Sequence, residues 1–424
     1  MRSKPSRPEK NRSLAAIEHA PWSDSNSPTS IMSAPIDQYA LPFFEPLHGE
    51  LAAGLAQWVP QQSVDEADDR AACRQWVRLL GQAGWLRYCV PAEFGGALPG
   101  LDSRALVILR ETLAFHSPLA DFAFAMQGLG SGAITLAGSS QQRATYLGPV
   151  AHGELIAAFA LSEPDAGSDV AAMTSTAEFD ASGSQVLLNG CKTWISNGGI
   201  ADFYCTFAKT DPQAGTRGIT AFIVDAGSAG LDCSQHIAVM APHPLATLQF
   251  RQCLLPASSQ LGALHGGFKL AMQTLDIFRA SVAGAALGMA LRALFEALSY
   301  ARQRHLFGQR LGDFQLTQAK LGEMAALVDA AALLTYRAAW LRDCVGTSTP
   351  AQAQAYSAQA AMAKMAATEN AQRVVDMALQ MHGGRGVQVG VKVESLYRDV
   401  RALRIYEGAT EVQQLIIGKS VLKG

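Results

Sequence analysis

Strongly basic clusters are missing from this 424-residue chain, in which 34 Lys and Arg stand against 36 Asp and Glu for a formal net charge of -2. Without a basic stripe interleaved with aromatics, nucleic acid finds no electrostatic footprint. Uninterrupted apolar runs are short as well, and none reaches the roughly 20 residues that a membrane-crossing helix needs. The 7 cysteines are odd in number, scattered and without a CxxC pair, which argues against a disulfide framework and against zinc. The 9 histidines show neither HExxH nor another ligand spacing, so no metal is expected. No GxGxxG follows a strand-like run, which argues against a doubly wound dinucleotide fold. These absences describe a soluble, cytoplasmic protein with no membrane span and no nucleic-acid partner.

What is present is helical at both ends. Hydrophobic residues make up 49% of the chain and charged residues 17%, enough for two or three packed regions. Residues 1–34 are polar, rich in Ser and Pro, and lack the apolar segment of a signal peptide. They read as a disordered extension, with Met32 as a candidate start. Over 35–151 the spacing of Leu51, Leu55 and Val59, and of Trp76, Leu79 and Leu80, predicts helices. Over 152–258 short runs such as Ile219–Val224 and Thr247–Leu255, parted by Gly, Asp and Pro, predict a β domain. Over 259–424 Ala-, Leu- and Met-rich stretches, about 267–305, 316–345 and 351–382, predict a helical bundle. Helices, then strands, then helices give an α+β multi-domain fold.

Five clusters carry chemistry. The stretch from Leu161 to Asp169 is rich in small and hydroxyl residues that let backbone amides approach a polar or anionic ligand, although a plain Asx/Ser turn presents the same residues. The second cluster, Lys192 to Gly199, sets Trp194 and Ser196 two apart, on one side of an extended backbone. A planar ring would stack there, and a core aromatic is the alternative. In the third, Arg302 to Gly308 followed by Phe314 and Gln315, guanidinium forks at a helix end suit phosphate or simply offset the helix dipole. Gln380 to Val387 holds three glycines in four positions, more than one helix end needs. In the fifth, Ile405 to Glu411, the carboxylate of Glu407 precedes Gly408 at the start of a helical run. It is either a reactive group or a solvated helix-entry residue.

Together, in this order and at these separations, the clusters resemble the acyl-CoA dehydrogenase family from about Pro35 to the C-terminus. The resemblance implies an N-terminal helical bundle, a middle β-barrel-like domain and a C-terminal four-helix bundle, assembled as a homotetramer with FAD as cofactor. Leu161, Ser162 and Ser168 would contact the flavin edge and pyrophosphate, with Trp194 and Ser196 flanking the ring. Arg304, Phe307, Gln315, Gln380 and Gly384 resemble positions that hold the FAD of an adjacent subunit, and Thr410 joins the cofactor contacts. Glu407 matches the family's catalytic glutamate, with Tyr406 and Gly408 beside the thioester. Asp276, Arg279 and Ser168 fall in the substrate region, although Asp276 and Arg279 also read as a helix-surface charge pair. Ala409 departs from the threonine commoner in the family. Some relatives carry the base at the position of Phe278, and phenylalanine takes no proton.

The implied reaction, one of fatty acid metabolism, converts an acyl-CoA thioester to its trans-2-enoyl-CoA. Glu407 removes the α proton and flavin N5 receives the β hydride from the opposite face. A free glutamate, with a pKa of about 4.3, is a weak base, so burial raising it toward roughly 6 to 7 is expected. An electron-transferring flavoprotein is the implied acceptor. Acyl-CoA oxidases, carrier-protein-thioester dehydrogenases and a catalytically silent scaffold share the fold and remain open. Pocket depth would depend on side chains such as Phe124, Met126, Gln127 and Phe278, and Gln127 puts a polar group where relatives floor the acyl pocket, which suggests a short, branched or functionalised chain.

Overall fold

Capping residues set the first five helices. The computed structural model describes residues 38–423, and the expected extension over 1–34, Met32 included, lies outside them. Helix α1 (Pro46–Trp58) opens on a proline at its first position, where a missing N–H costs nothing. Ahead of α2 (Asp69–Gln82), Asp68 accepts from the Arg70 and Ala71 amides at 3.0 and 3.1 Å. Asp102 caps α3 (Ser103–His116), Ser117 caps α4 (Pro118–Ala137) and Ser139 caps α5 (Ser140–His152) in the same way. Such caps contribute about 1 kcal/mol each.

The middle region is one sheet. Its strands are β1 (Ala157–Ala160), β2 (Thr176–Phe179), β3 (Gln185–Ser196), β4 (Phe203–Lys209), β5 (Ile219–Asp225), β6 (Leu231–Ile237), β7 (Leu245–Pro256) and β8 (Gln260–Leu261). The order is β6-β7-β3-β2-β4-β5-β8, with β1 parallel to β4. Burial on both faces makes β4 and β5 read as unbroken apolar runs rather than alternating ones. The short β8 pairs with Ala221 and Phe222, which carries the sheet to Leu261. Between the long strands β3 and β7 the register slips twice, at Leu188/Gly190 and at Lys192/Ile195.

The C-terminal region begins with α6 (Gly267–Gln303), followed by a hairpin of β9 (His305–Leu306) and β10 (Gln309–Arg310). Helices α7 (Gln315–Trp340), α8 (Pro350–His382), α9 (Lys392–Leu403) and α10 (Thr410–Lys423) complete it. Glycines let α6 lie against α3 at backbone distance: an added Cβ at Gly284 or Gly288 would stand 2.6 or 2.1 Å from the Val107 or Glu111 carbonyl oxygen. By length and composition α6 and the stretch Gln315–Val345 are apolar enough to cross a membrane, but α6 buries most of that surface in the bundle, as a core helix does. Helices α3 and α4 are buried along nearly their whole length: both pack against α6, and α4 also packs against the sheet. The loop between α9 and α10 ends beside them, and there the unusual side chains collect.

Candidate active site

Glu407 and Gly408 both adopt left-handed backbone, with φ of 51° and 91°. For a glutamate this conformation costs on the order of 1–3 kcal/mol and persists only where surrounding contacts impose it. The Gly408 carbonyl accepts from Lys364 Nζ at 2.7 Å and from Gln413 Nε2 at 2.9 Å. Glu369 ties down both ends of the turn, accepting from Arg404 Nε at 2.8 Å and from Thr410 Oγ1 at 2.7 Å. Charge-assisted bonds of this kind contribute roughly 1.5–3 kcal/mol each, enough to hold the strained turn. The result is a half-buried carboxylate whose Oε2 has no partner among the described residues. A solvated helix-entry glutamate would have neither the clamp nor the orphaned oxygen.

Three cations face that carboxylate. Arg110 of α3 makes a buried two-pronged ion pair with Asp121 of α4, Nε–Oδ1 2.8 Å and Nη2–Oδ2 2.9 Å, and donates to Ser281 Oγ at 3.1 Å. Its guanidinium lies beside the Tyr406 phenol and the Glu407 carboxyl. Lys364 stands behind the turn on α8, and Arg279 of α6 is buried and paired with Asp276. Burial pushes the Glu407 carboxyl above the usual carboxylate range, while Arg110, Lys364 and Arg279 pull it back down. Arg279 is thus no helix-surface charge, because only Asp276 keeps appreciable exposure.

The Leu161–Asp169 loop is fastened to β3. Lys192, wholly buried, donates to the Leu161 carbonyl at 3.1 Å and to Glu163 Oε1 at 2.7 Å. Glu163 also accepts from the Thr174 and Ser175 amides. Burial pushes Glu163 up, but the Lys192 charge and these hydrogen bonds outweigh it and hold the carboxyl at about 2. Ser162 and Ser168 stay at least partly accessible on this rigid loop. The extended backbone expected at Trp194 and Ser196 is not there: Trp194 has φ 59°, on the bulge where β3 slips against β7. An extra residue in one strand turns the indole outward, leaving it 59% exposed rather than in the core.

A separate cavity of about 580 Å³ lies where α6 ends against the turn after α8. Arg304, Tyr300, His382, Gly383, Gly384 and Arg385 are on its wall. The three glycines there serve three ends. Gly383 takes φ 58°, Gly386 packs against the Leu379 carbonyl, and Gly384 faces open space. Two guanidiniums over bare glycine backbone suit a phosphate-bearing ligand. Of the five residues expected around an adjacent subunit's FAD, Arg304 and Gly384 line this cavity. Gln380 and Gln315 are off its wall, and Phe307 stands 96% exposed at the tip of the β9–β10 hairpin.

The acyl-pocket hint from Gln127 is not supported. Its side-chain amide donates to the Leu155 carbonyl at 2.8 Å and accepts from the Ala157 amide at 2.8 Å, joining α4 to the start of β1. Phe278 is buried with its ring against Gly128 and Gly132, where an added Cβ would lie 2.6 and 2.9 Å from it. Sequence reasoning passed over Arg110, Asp121, Lys364 and Glu369. Lys364 had a signal, a lone charge inside an apolar helical run.

The sequence matches the acyl-CoA dehydrogenase N-terminal domain over residues 50–154, the middle domain over 158–253 and the C-terminal domain over 265–422. The chain belongs to the acyl-CoA dehydrogenase family. It is 39% identical to the 3-(aryl)acrylate reductase of Clostridium sporogenes, over 90% of this chain and 100% of that protein. It is 38% identical to the caffeyl-CoA reductase–Etf complex subunit CarC of Acetobacterium woodii, over 81% and 88%. The acyl-CoA dehydrogenase of Bacillus anthracis complexed with FAD superposes with a TM-score of 0.81 at 31% identity, covering 90% of this chain and 68% of that one. As an acyl-CoA dehydrogenase the chain is an oxidoreductase, and the expected helical, β and helical regions are those of the family.

Proposed function

We propose that this acyl-CoA dehydrogenase uses FAD to interconvert an acyl-CoA thioester and its trans-2-enoyl-CoA, with Glu407 moving the α proton. The observation that carries the reading is the clamped turn that presents Glu407 with one oxygen unused and three cations around it. FAD, when bound, supplies the two-electron acceptor for the β hydride.

The residues present fit that cofactor. Ser162 and Ser168 on the rigid loop and the outward indole of Trp194 offer a flavin hydroxyls and a stacking face. Arg304, Arg385 and the Gly384 backbone, in their separate cavity, suit the phosphates of the FAD that an adjacent subunit carries. Glu407 Oε2 receives the α proton, and a carboxyl raised above its ordinary value is a stronger base near neutral pH. Arg110, Lys364 and Arg279 oppose that rise.

A homotetramer is part of the reading. The wholly exposed Phe307, with exposed Leu316, Val387 and Val389 on neighbouring elements, is the kind of apolar surface a second subunit covers. An electron-transferring flavoprotein as redox partner follows from the likeness to the caffeyl-CoA reductase–Etf subunit. The cytoplasm stays our reading of location, and the seven cysteines are all free.

The names of those two relatives favour a second direction, reduction of an aryl-substituted enoyl thioester. The test is anaerobic titration of FAD-loaded protein with butyryl-CoA and with 3-phenylpropanoyl-CoA. Bleaching of the oxidised flavin band by one of them establishes the chemistry and names the chain class. Flavin that neither thioester bleaches, and that stays reduced when dithionite-treated protein meets the matching enoyl-CoAs, contradicts it.

A further inference from the structure

Lys364 is wholly buried, and among the described residues it makes one hydrogen bond and has no carboxylate within ion-pair distance. A buried ammonium without a contacting counter-ion is costly, so its presence needs a reason. A hydrogen bond alone does not supply one, because the neutral amide of Gln413 already donates to the same Gly408 carbonyl. What Gln413 lacks is charge.

We propose that Lys364 is a positioning residue for Glu407: its ammonium locks the Glu407–Gly408 turn through the Gly408 carbonyl and sets a fixed positive field at the carboxylate. The inference rests on the reading of Glu407 as the base. Charged groups act on Lys364 from several elements: Glu407 and Glu411 from the turn and α10, Arg279 from α6, and Glu369 from its own helix. Burial lowers the Lys364 ammonium to about 8, with Arg279 acting in the same direction and the three carboxylates opposing. The lock therefore weakens as pH rises through about 8, whereas an arginine in its place stays charged.

Hydrogen exchange followed by mass spectrometry on the FAD-loaded protein reads the lock without turnover. In Lys364→Met the segment 404–410 exchanges about tenfold faster at pH 7 while the 161–169 loop is unchanged, and Lys364→Arg restores protection. In wild type, protection of 404–410 falls between about pH 7 and 9 beyond the intrinsic rise in exchange rate, and in Lys364→Arg it does not. Wild-type protection in Lys364→Met overturns the proposal, as does a pH dependence that persists in Lys364→Arg. If Lys364→Met fails to fold or to hold FAD, the pH comparison between wild type and Lys364→Arg decides alone.

Single-turnover flavin reduction supplies the second arm. Lys364→Met slows it about thirtyfold at pH 7 and moves its acid limb to higher pH, because the carboxylate has lost a stabilising charge. Gln413→Leu slows it less and moves no limb, and an acid limb shifted as far as in Lys364→Met counts against the proposal. If wild-type flavin is not reduced by any thioester, the Glu407 reading fails, and the exchange arm still decides whether Lys364 holds the turn.

Discussion

Arg110→Met removes the ion-pair partner of Asp121 in a place where the two side chains keep only 2% and 3% of their surface. Breaking a buried pair from one side costs about 3–5 kcal/mol, because the remaining charge is stranded. With about 2.1 cal/mol/K of unfolding entropy per residue, 1 kcal/mol in a chain this long is roughly 1 °C, so Tm falls by about 3–6 °C. Adding Asp121→Asn removes the stranded charge and recovers most of the loss, a non-additivity expected of two groups in contact. The sign with pH is fixed as well. Burial raises the Asp121 carboxyl, and among the described residues Arg110 is the group that opposes it. A group with a raised folded-state value favours the folded protein when protonated, so the deficit is largest at pH 8 and shrinks toward pH 5. Thermal melting of FAD-loaded protein across that range is the assay. A single variant that melts within about 1 °C of wild type at every pH, or a double variant no better than the single one, refutes the reasoning.

Two further outcomes follow from the same contacts. Glu163→Gln leaves buried Lys192 without its counter-ion and loosens the loop that carries Ser162 and Ser168; FAD affinity, read by fluorescence on reconstitution of apoprotein, falls more than tenfold, and unchanged affinity counts against the loop's role. Gly408→Ala places a Cβ 2.4 Å from Gln413 Nε2 at φ 91°, so flavin reduction slows by at least about tenfold with FAD content intact; a wild-type rate shows that the turn tolerates displacement.

Much of the fold was legible because its signals are local. The stretches 267–305, 316–345 and 351–382 came within a few residues of α6, of α7 with its π-helical end, and of α8, since periodicity and breakers act within a single helix. The bulge at Trp194 was not legible, because it depends on how β3 meets β7, two strands about fifty residues apart. Gln127 was misread for a similar reason: its partners Leu155 and Ala157 belong to the chain after α5, and spacing along α4 says nothing about them. Glu407 was legible from its motif, but the Arg110, Lys364 and Glu369 side chains that hold or charge it come from two other helices. Of these, Lys364 alone leaves a trace in the linear sequence, as a lone charge in an apolar run.

The central claim is that Glu407 moves the α proton, and the most direct measurement is anaerobic stopped-flow reduction of FAD-loaded Glu407→Gln by the thioester that bleaches wild type. A glutamine of nearly the same shape keeps the yellow, folded protein and offers no basic oxygen, so the account predicts a loss of at least about 10³-fold in the reduction rate. Reduction within about threefold of wild type would contradict it and move the base to another residue.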